Sequence, residues 1–137
     1  LEVGSQATPF EHRSFGEEQT LCERYCQTIM NGADANNSNQ HDMAAFAYQA
    51  DSVFMPTPLR TRMRAAPSVS ATTGAFYWKC YFNGTNIYMD GNGMDRESTT
   101  TATIFFNTPS GGNISQATPC FMRTNSSAAR ILLTSEI

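Results

Sequence analysis

The sequence predicts a mainly β fold, an antiparallel, jelly-roll-like β-sandwich with one short N-terminal α-helix. Three observations carry this. Clusters of Asn, Gly, Pro and Ser recur along the chain after Met30 and read as turns. The runs between them are short and rich in aromatic and β-branched residues, which suit strands. Only one stretch, Ser14 to about Cys26, combines a helix start signal with helical spacing.

Residues 1–13 read as an extended lead-in, stiffened by Pro9, and residues 14–137 as one domain. Ser14 is a natural N-cap. Glu17 stands three residues on and completes a capping box, and Glu17 with Glu18 puts negative charge where the helix dipole favours it. Leu21, Cys22, Tyr25, Cys26 and Ile29 recur at helical spacing, so the helix is expected to lay one apolar face on a sheet and to open into a strand by Met30.

Asn31–Gln40 is a polar loop punctuated by Gly32, and Asp42–Gln49 reads as a strand. Val53-Phe54-Met55 is a short apolar run ended by Pro56 and Pro58. Proline donates no ladder hydrogen bond, so this segment belongs at a sheet edge or in a connection. Leu59–Arg64 alternates. If it is extended, Arg60, Arg62 and Arg64 share one side, with Thr61 and Met63 on the other.

Ser68–Thr72 is a strand that Gly74 breaks. Ala75–Tyr81 is the strongest strand, with Phe76, Trp78 and Cys80 on one face and Tyr77, Lys79 and Tyr81 on the other. Asn83-Gly84-Thr85-Asn86 is a turn, and Ile87-Tyr88-Met89 returns to make a hairpin. Asp90–Gly93 is a second tight loop, Thr99–Phe106 a strand, and Thr108–Ser115 a Pro/Gly loop. Gln116–Arg123 and Ala129–Ser135 read as a final strand pair joined across residues 124–127.

The chain has 137 residues, enough for one domain with its own core. A net charge of -3 and a pI near 5.2 exclude the broad basic footprint of a general nucleic-acid binder. No run of about 18 apolar residues occurs, so no membrane insertion is expected. Residues 1–10 lack the basic and apolar segments of a signal peptide and read as a strand continuing from an upstream module. The four cysteines, Cys22, Cys26, Cys80 and Cys120, read as buried thiols, with a Cys80–Cys120 disulfide as the alternative. No C-x-x-C pair exists, and no metal or cofactor is expected.

The two histidines, His12 and His41, sit in no recognisable motif, and no catalytic constellation emerges. The chain is therefore read as a non-enzyme. Two binding candidates remain. The Tyr77, Lys79 and Tyr81 face is amphipathic, fit for core and subunit packing or for stacking a sugar ring. The Arg60, Arg62 and Arg64 stripe is the one basic stripe in the chain. It is read as a solvated or subunit-facing edge, or as an anion site for acidic sugars or phosphates.

Leu1-Glu2-Val3-Gly4, then Ala7-Thr8-Pro9-Phe10-Glu11-His12-Arg13-Ser14-Phe15-Gly16-Glu17-Glu18, then Leu21-Cys22-Glu23-Arg24-Tyr25, resembles a signature of C-terminal domains in phage virion proteins. Such domains occur in tail fibres, head fibres and capsid-decorating proteins, commonly behind a jelly-roll module. Met63–Val69 and the ending Ala129–Ile137 are similar to the same domains, so the resemblance spans the chain. Where the family often has a second Tyr after Tyr25, this chain has Cys26. The resemblance carries over no catalytic residue. It implies a non-enzymatic virion domain assembled in the bacterial cytoplasm, trimeric and docked on other virion proteins. A fibre or spike tip that touches host surface glycans is the leading expectation. Capsid decoration is the alternative, and a secreted bacterial lectin or adhesin a further one. Loops 31–40, 90–93 and 108–115 are the expected contacts.

Overall fold

The capping box forms as the sequence predicts. Ser14 Oγ accepts the Glu17 backbone N–H at 3.3 Å, and a Glu17 carboxylate oxygen accepts the Ser14 backbone N–H at 2.9 Å. Together they open helix α1 (Phe15–Glu23). The computed structural model describes residues 13–34, 41–74, 76–108 and 114–135. Most of the expected lead-in (1–12) and much of two expected contact loops (35–40 and 109–113) lie outside the described residues.

The helix does not lay an apolar face on a sheet. None of its residues is buried, and Phe15, Leu21 and Cys22 are all exposed. The apparent helical stripe spanned two elements. The chain leaves the helix at its C-cap, Arg24, and Cys26 already belongs to a strand.

Among the described residues ten strands follow: β1 (Cys26–Asn31), β2 (Asp42–Gln49), β3 (Ser52–Pro58), β4 (Ser68–Ala71), β5 (Trp78–Phe82), β6 (Thr85–Met89), β7 (Gly91–Glu97), β8 (Thr101–Asn107), β9 (Pro119–Thr124) and β10 (Arg130–Thr134). They form a three-stranded sheet in the order β1-β10-β4 and a seven-stranded sheet in the order β6-β5-β9-β2-β3-β8-β7. Every neighbouring pair is antiparallel. The fold is a mainly β sandwich with one short helix, as the sequence predicts.

Between the sheets lies a core of Met30, Val53, Met55, Trp78, Met89, Ile104, Phe106, Met122, Ile131 and Leu133, all without solvent exposure. Thr72 stitches the sheets together. Its N–H donates to Arg130 O at 3.0 Å, and its carbonyl accepts the Trp78 indole N–H at 2.6 Å and an Asn92 amide N–H at 3.1 Å.

Four expectations need correction. The last two strands do not pair. β9 sits between β5 and β2, while β10 sits between β1 and β4, because the turn at Ser126 carries the chain from one sheet to the other. β3 is an inner strand that runs through both prolines. Beyond Phe54 only β8 pairs with it, and two prolines two residues apart turn their missing N–H groups to the same side, the unpaired one. Asp90–Gly93 is no loop, since β7 runs from Gly91 and pairs with β8. The strand expected over Ala75–Tyr81 starts at Trp78, because Phe76 takes the left-handed region at φ 74°. The β5–β6 hairpin closes on Asn83-Gly84 alone, both at positive φ, with Phe82 opposite Thr85.

Candidate functional site

Strand alternation decides what the seven-stranded sheet shows to solvent. Trp78 and Cys80 of β5, Cys120 and Met122 of β9, Ala45 and Ala47 of β2, and Ile104 and Phe106 of β8 face the core. The residues between them face outward and fall in register across the strands. Lys79 is opposite Tyr88 on one side and Arg123 on the other, and Tyr81 is opposite Phe121. Arg123 is opposite Asp42, Phe46 is opposite Phe54, and Phe54 is opposite Phe105.

The outer face is therefore aromatic. Tyr48 and Phe54 stack with centroids 4.4 Å apart and planes at 12°, and Phe46 meets Phe54 edge-on at 6.0 Å. The Phe105 ring lies over Gly93, where a Cβ would come within 2.6 Å of it, so β7 needs glycine there. Phe121, Tyr48, Tyr88, Phe46 and Tyr81 are 36–50% exposed, so nothing described in this chain covers the band.

One corner of the face is charged. Arg123 donates to Asp42 through Nε and Nη2, one edge of its guanidinium, at 2.7 and 2.6 Å, and lies 4.8 Å above the Tyr81 ring. Lys79, beside it, is only 7% exposed. Burial first, and then the Arg123 charge, hold its ammonium below the ordinary lysine value, while Asp42 opposes the shift. Phe76 flanks the corner, fully outside the core, and meets Tyr88 edge-on at 5.1 Å.

Two of the six residues singled out by sequence, Lys79 and Tyr81, lie on this face. Tyr77 does not. It precedes the strand, packs partly against the core, and accepts the Asn125 N–H at 2.8 Å through its carbonyl. Phe76, expected inside with Trp78, stands outside instead.

The three arginines sit elsewhere, on a connection between β3 and β4 and not on a strand. The alternation survives there, since Met63 is buried between exposed Arg62 and Arg64. Each arginine has its own partner: Arg60 approaches Glu23 at 3.9 Å, Arg62 donates to Thr99 Oγ1 at 3.3 Å, and Arg64 donates to the Tyr25 hydroxyl at 2.8 Å. The connection is pinned to the helix end by buried Gln27, whose amide donates to Glu23 O and Thr61 O and accepts the Arg60 N–H. These contacts make the arginine stripe part of the helix-to-sheet joint.

Sequence reasoning missed Asp42, Arg123, Phe121, Phe46, Tyr48 and Phe54. Their signal was weak but present: aromatic or charged side chains at alternate positions of strands whose other positions are small or apolar.

Only half of the buried-thiol expectation holds. Cys80 and Cys120 are buried and free, and Cys22 and Cys26 are exposed and free. The buried pair share a hydrogen bond that, with burial, pushes the Cys80 thiol up. The same bond favours Cys120 as the first to ionise, although burial opposes a thiolate there.

Two open clefts, of about 250 Å³ beside Ser70 and Leu132 and about 380 Å³ beside Phe82 and Ile87, lie off the aromatic band. Among the described residues no group of three or more His, Cys, Asp or Glu gathers as a metal site, and no helix is long and apolar enough to cross a membrane. No protein-family model, curated protein or solved structure matches this chain.

Proposed function

We propose that this chain is a non-enzymatic structural domain of a phage virion, at a fibre or spike tip, and that it touches host surface glycans with the outer face of its seven-stranded sheet. The observation that carries the reading is that face. Exposed rings at Tyr81, Tyr88, Phe121 and Phe46 offer flat apolar surfaces for sugar rings. Beside them, Lys79, Arg123 and Asp42 offer charged hydrogen-bonding groups for hydroxyls. A platform of this kind needs no deep cleft.

The helix supports the assembly part of the reading. A nine-residue helix with no buried residue has little stability of its own in water. Phe15 at its start and Leu21 in its second turn are apolar and uncovered. Docking onto a neighbouring copy in a trimer, or onto the preceding module, covers them.

The test is binding of the 137-residue chain to a panel of bacterial cells, to their extracted surface polysaccharides and to phage capsids, with its mass in solution measured alongside. Binding to cells and polysaccharide that Tyr81→Ala abolishes is the expected result. Binding to capsids alone would replace the tip reading with capsid decoration.

A further inference from the structure

We propose that Lys79 anchors the ligand on this face, and that the saccharide it takes carries a single carboxylate. The inference rests on the glycan reading above and narrows it to a substrate class.

Only 7% of Lys79 is exposed, its stem covered and its ammonium at the surface, and among the described residues no side chain hydrogen-bonds or ion-pairs with that ammonium. Its register neighbours are Tyr88 and Arg123, and Tyr81 lies two residues along the same face. The tyrosine rings and the arginine cover the lysine stem and crowd the ammonium, which still reaches the surface of the face and has no hydrogen-bond partner within the described chain. An ammonium at the surface with no partner in the chain is open to a bound anion, which supplies the charge-assisted hydrogen bond that the chain does not.

Arg123 already spends its charge on Asp42, which accepts from its Nε and Nη2, and it lies over the Tyr81 ring, so Lys79 is the cation of this corner without a partner. Asp42 and Arg123 cancel, so the corner keeps one uncompensated positive charge. A carboxylate matches that charge, whereas a phosphate monoester brings close to two negative charges at neutral pH. The walls fit a ring-borne carboxylate. Tyr81 and Tyr88 stand to either side with exposed rings, and Phe76 is held at positive φ against Tyr88, projecting into solvent. A sugar ring against the tyrosines places a ring-attached carboxylate over Lys79. A hexuronate has that form.

The experiment uses the full chain and three probes on the same linker: a glucuronate-terminated oligosaccharide, its neutral glucose-terminated counterpart, and the glucose-6-phosphate-terminated form. Wild type is expected to bind the glucuronate probe about tenfold or more tightly than the neutral one, which is the worth of one charge-assisted hydrogen bond. Lys79→Gln, checked for cooperative folding, should erase that preference, so that the glucuronate and neutral probes bind alike. Lys79→Arg should keep part of it. Equal binding of neutral and glucuronate probes, a preference that survives Lys79→Gln, or tightest binding of the phosphate probe overturns the inference and leaves the glycan reading standing. Failure of all three probes overturns the inference as well, and the glycan reading falls with it only if the bacterial polysaccharide panel is also unbound.

Discussion

Along β5, Trp78 and Cys80 turn inward with no exposed surface, while Lys79 and Tyr81 turn outward among Tyr88, Phe121 and Arg123. The same contrast runs across the whole seven-stranded sheet. Its inner face is built mainly from Met, Ala, Ile and Cys, with Val53, Phe106 and one Trp, which fill irregular space against the second sheet. Its outer face is built from Phe and Tyr with an ionic corner, and among the described residues no second layer lies over it. A sandwich sheet needs one apolar face to fold, and the solvent face can be polar at no loss. The rings on the solvent face are what the proposed recognition role rests on. The two faces should separate cleanly by experiment, folding on one and recognition on the other.

The strongest way to break the comparison is at Trp78. Trp78→Ala should destabilise the fold by about 3–5 kcal/mol, since it empties the core beside Phe106 and removes a donor to Thr72 O. Denaturant melts would measure it. A loss near 1 kcal/mol would mean that the inner face is not the core of the fold.

Lys79→Met should act in the opposite direction. Replacing the desolvated ammonium with an apolar chain of similar length should stabilise the domain at neutral pH, on the order of 1 kcal/mol. The pH dependence has a definite sign. The folded-state value lies below the unfolded one, so between the two the unfolded chain holds more protons and wild-type stability rises with pH. The advantage of Lys79→Met is full below the folded value and shrinks as pH climbs towards the ordinary lysine value. Melts at neutral and alkaline pH would show this narrowing, and a gap constant with pH would mean that the ammonium is not desolvated.

Smaller effects belong to the rest of the outer face. Asp42→Ala removes the Arg123 pair and should cost up to about 1 kcal/mol, less at high salt, because the pair is partly exposed. Phe121→Ala should cost about 0.5 kcal/mol, as a half-exposed surface substitution. A double-mutant cycle of Asp42 and Arg123 would sharpen the contrast by separating their coupling from packing on Tyr81.

How much of this could be read in the sequence follows from the range of each signal. The capping box and the Asn83-Gly84 turn are local, and both form where the residues predict. The inward and outward assignment of Trp78, Cys80, Lys79 and Tyr81 also needs only alternation. Pairing does not reduce to local pattern. Asp42 and Arg123 are 81 residues apart, and only the β2–β9 register brings them together. The prolines of β3 announce an unpaired side but not which side. Gly91 and Gly93 look like a turn until the Phe105 ring that covers Gly93 is placed. The sheet crossing between β9 and β10 depends on a turn whose residues fit a hairpin equally well. The aromatic band was missed for a further reason: Phe and Tyr on strands are ordinarily counted towards the core, so alternating apolar residues on both faces blur the period.

Whether the outward rings serve recognition and not folding can be decided with one double variant. The double variant Tyr81→Ala with Phe121→Ala would be compared with wild type for surface-polysaccharide affinity and for thermal midpoint in the same buffer. The account predicts a loss of binding of at least about tenfold, corresponding to roughly 1.4 kcal/mol, with the midpoint lowered by only a few degrees. Intact binding by the variant, or a collapse of its stability to the level of Trp78→Ala, would contradict it.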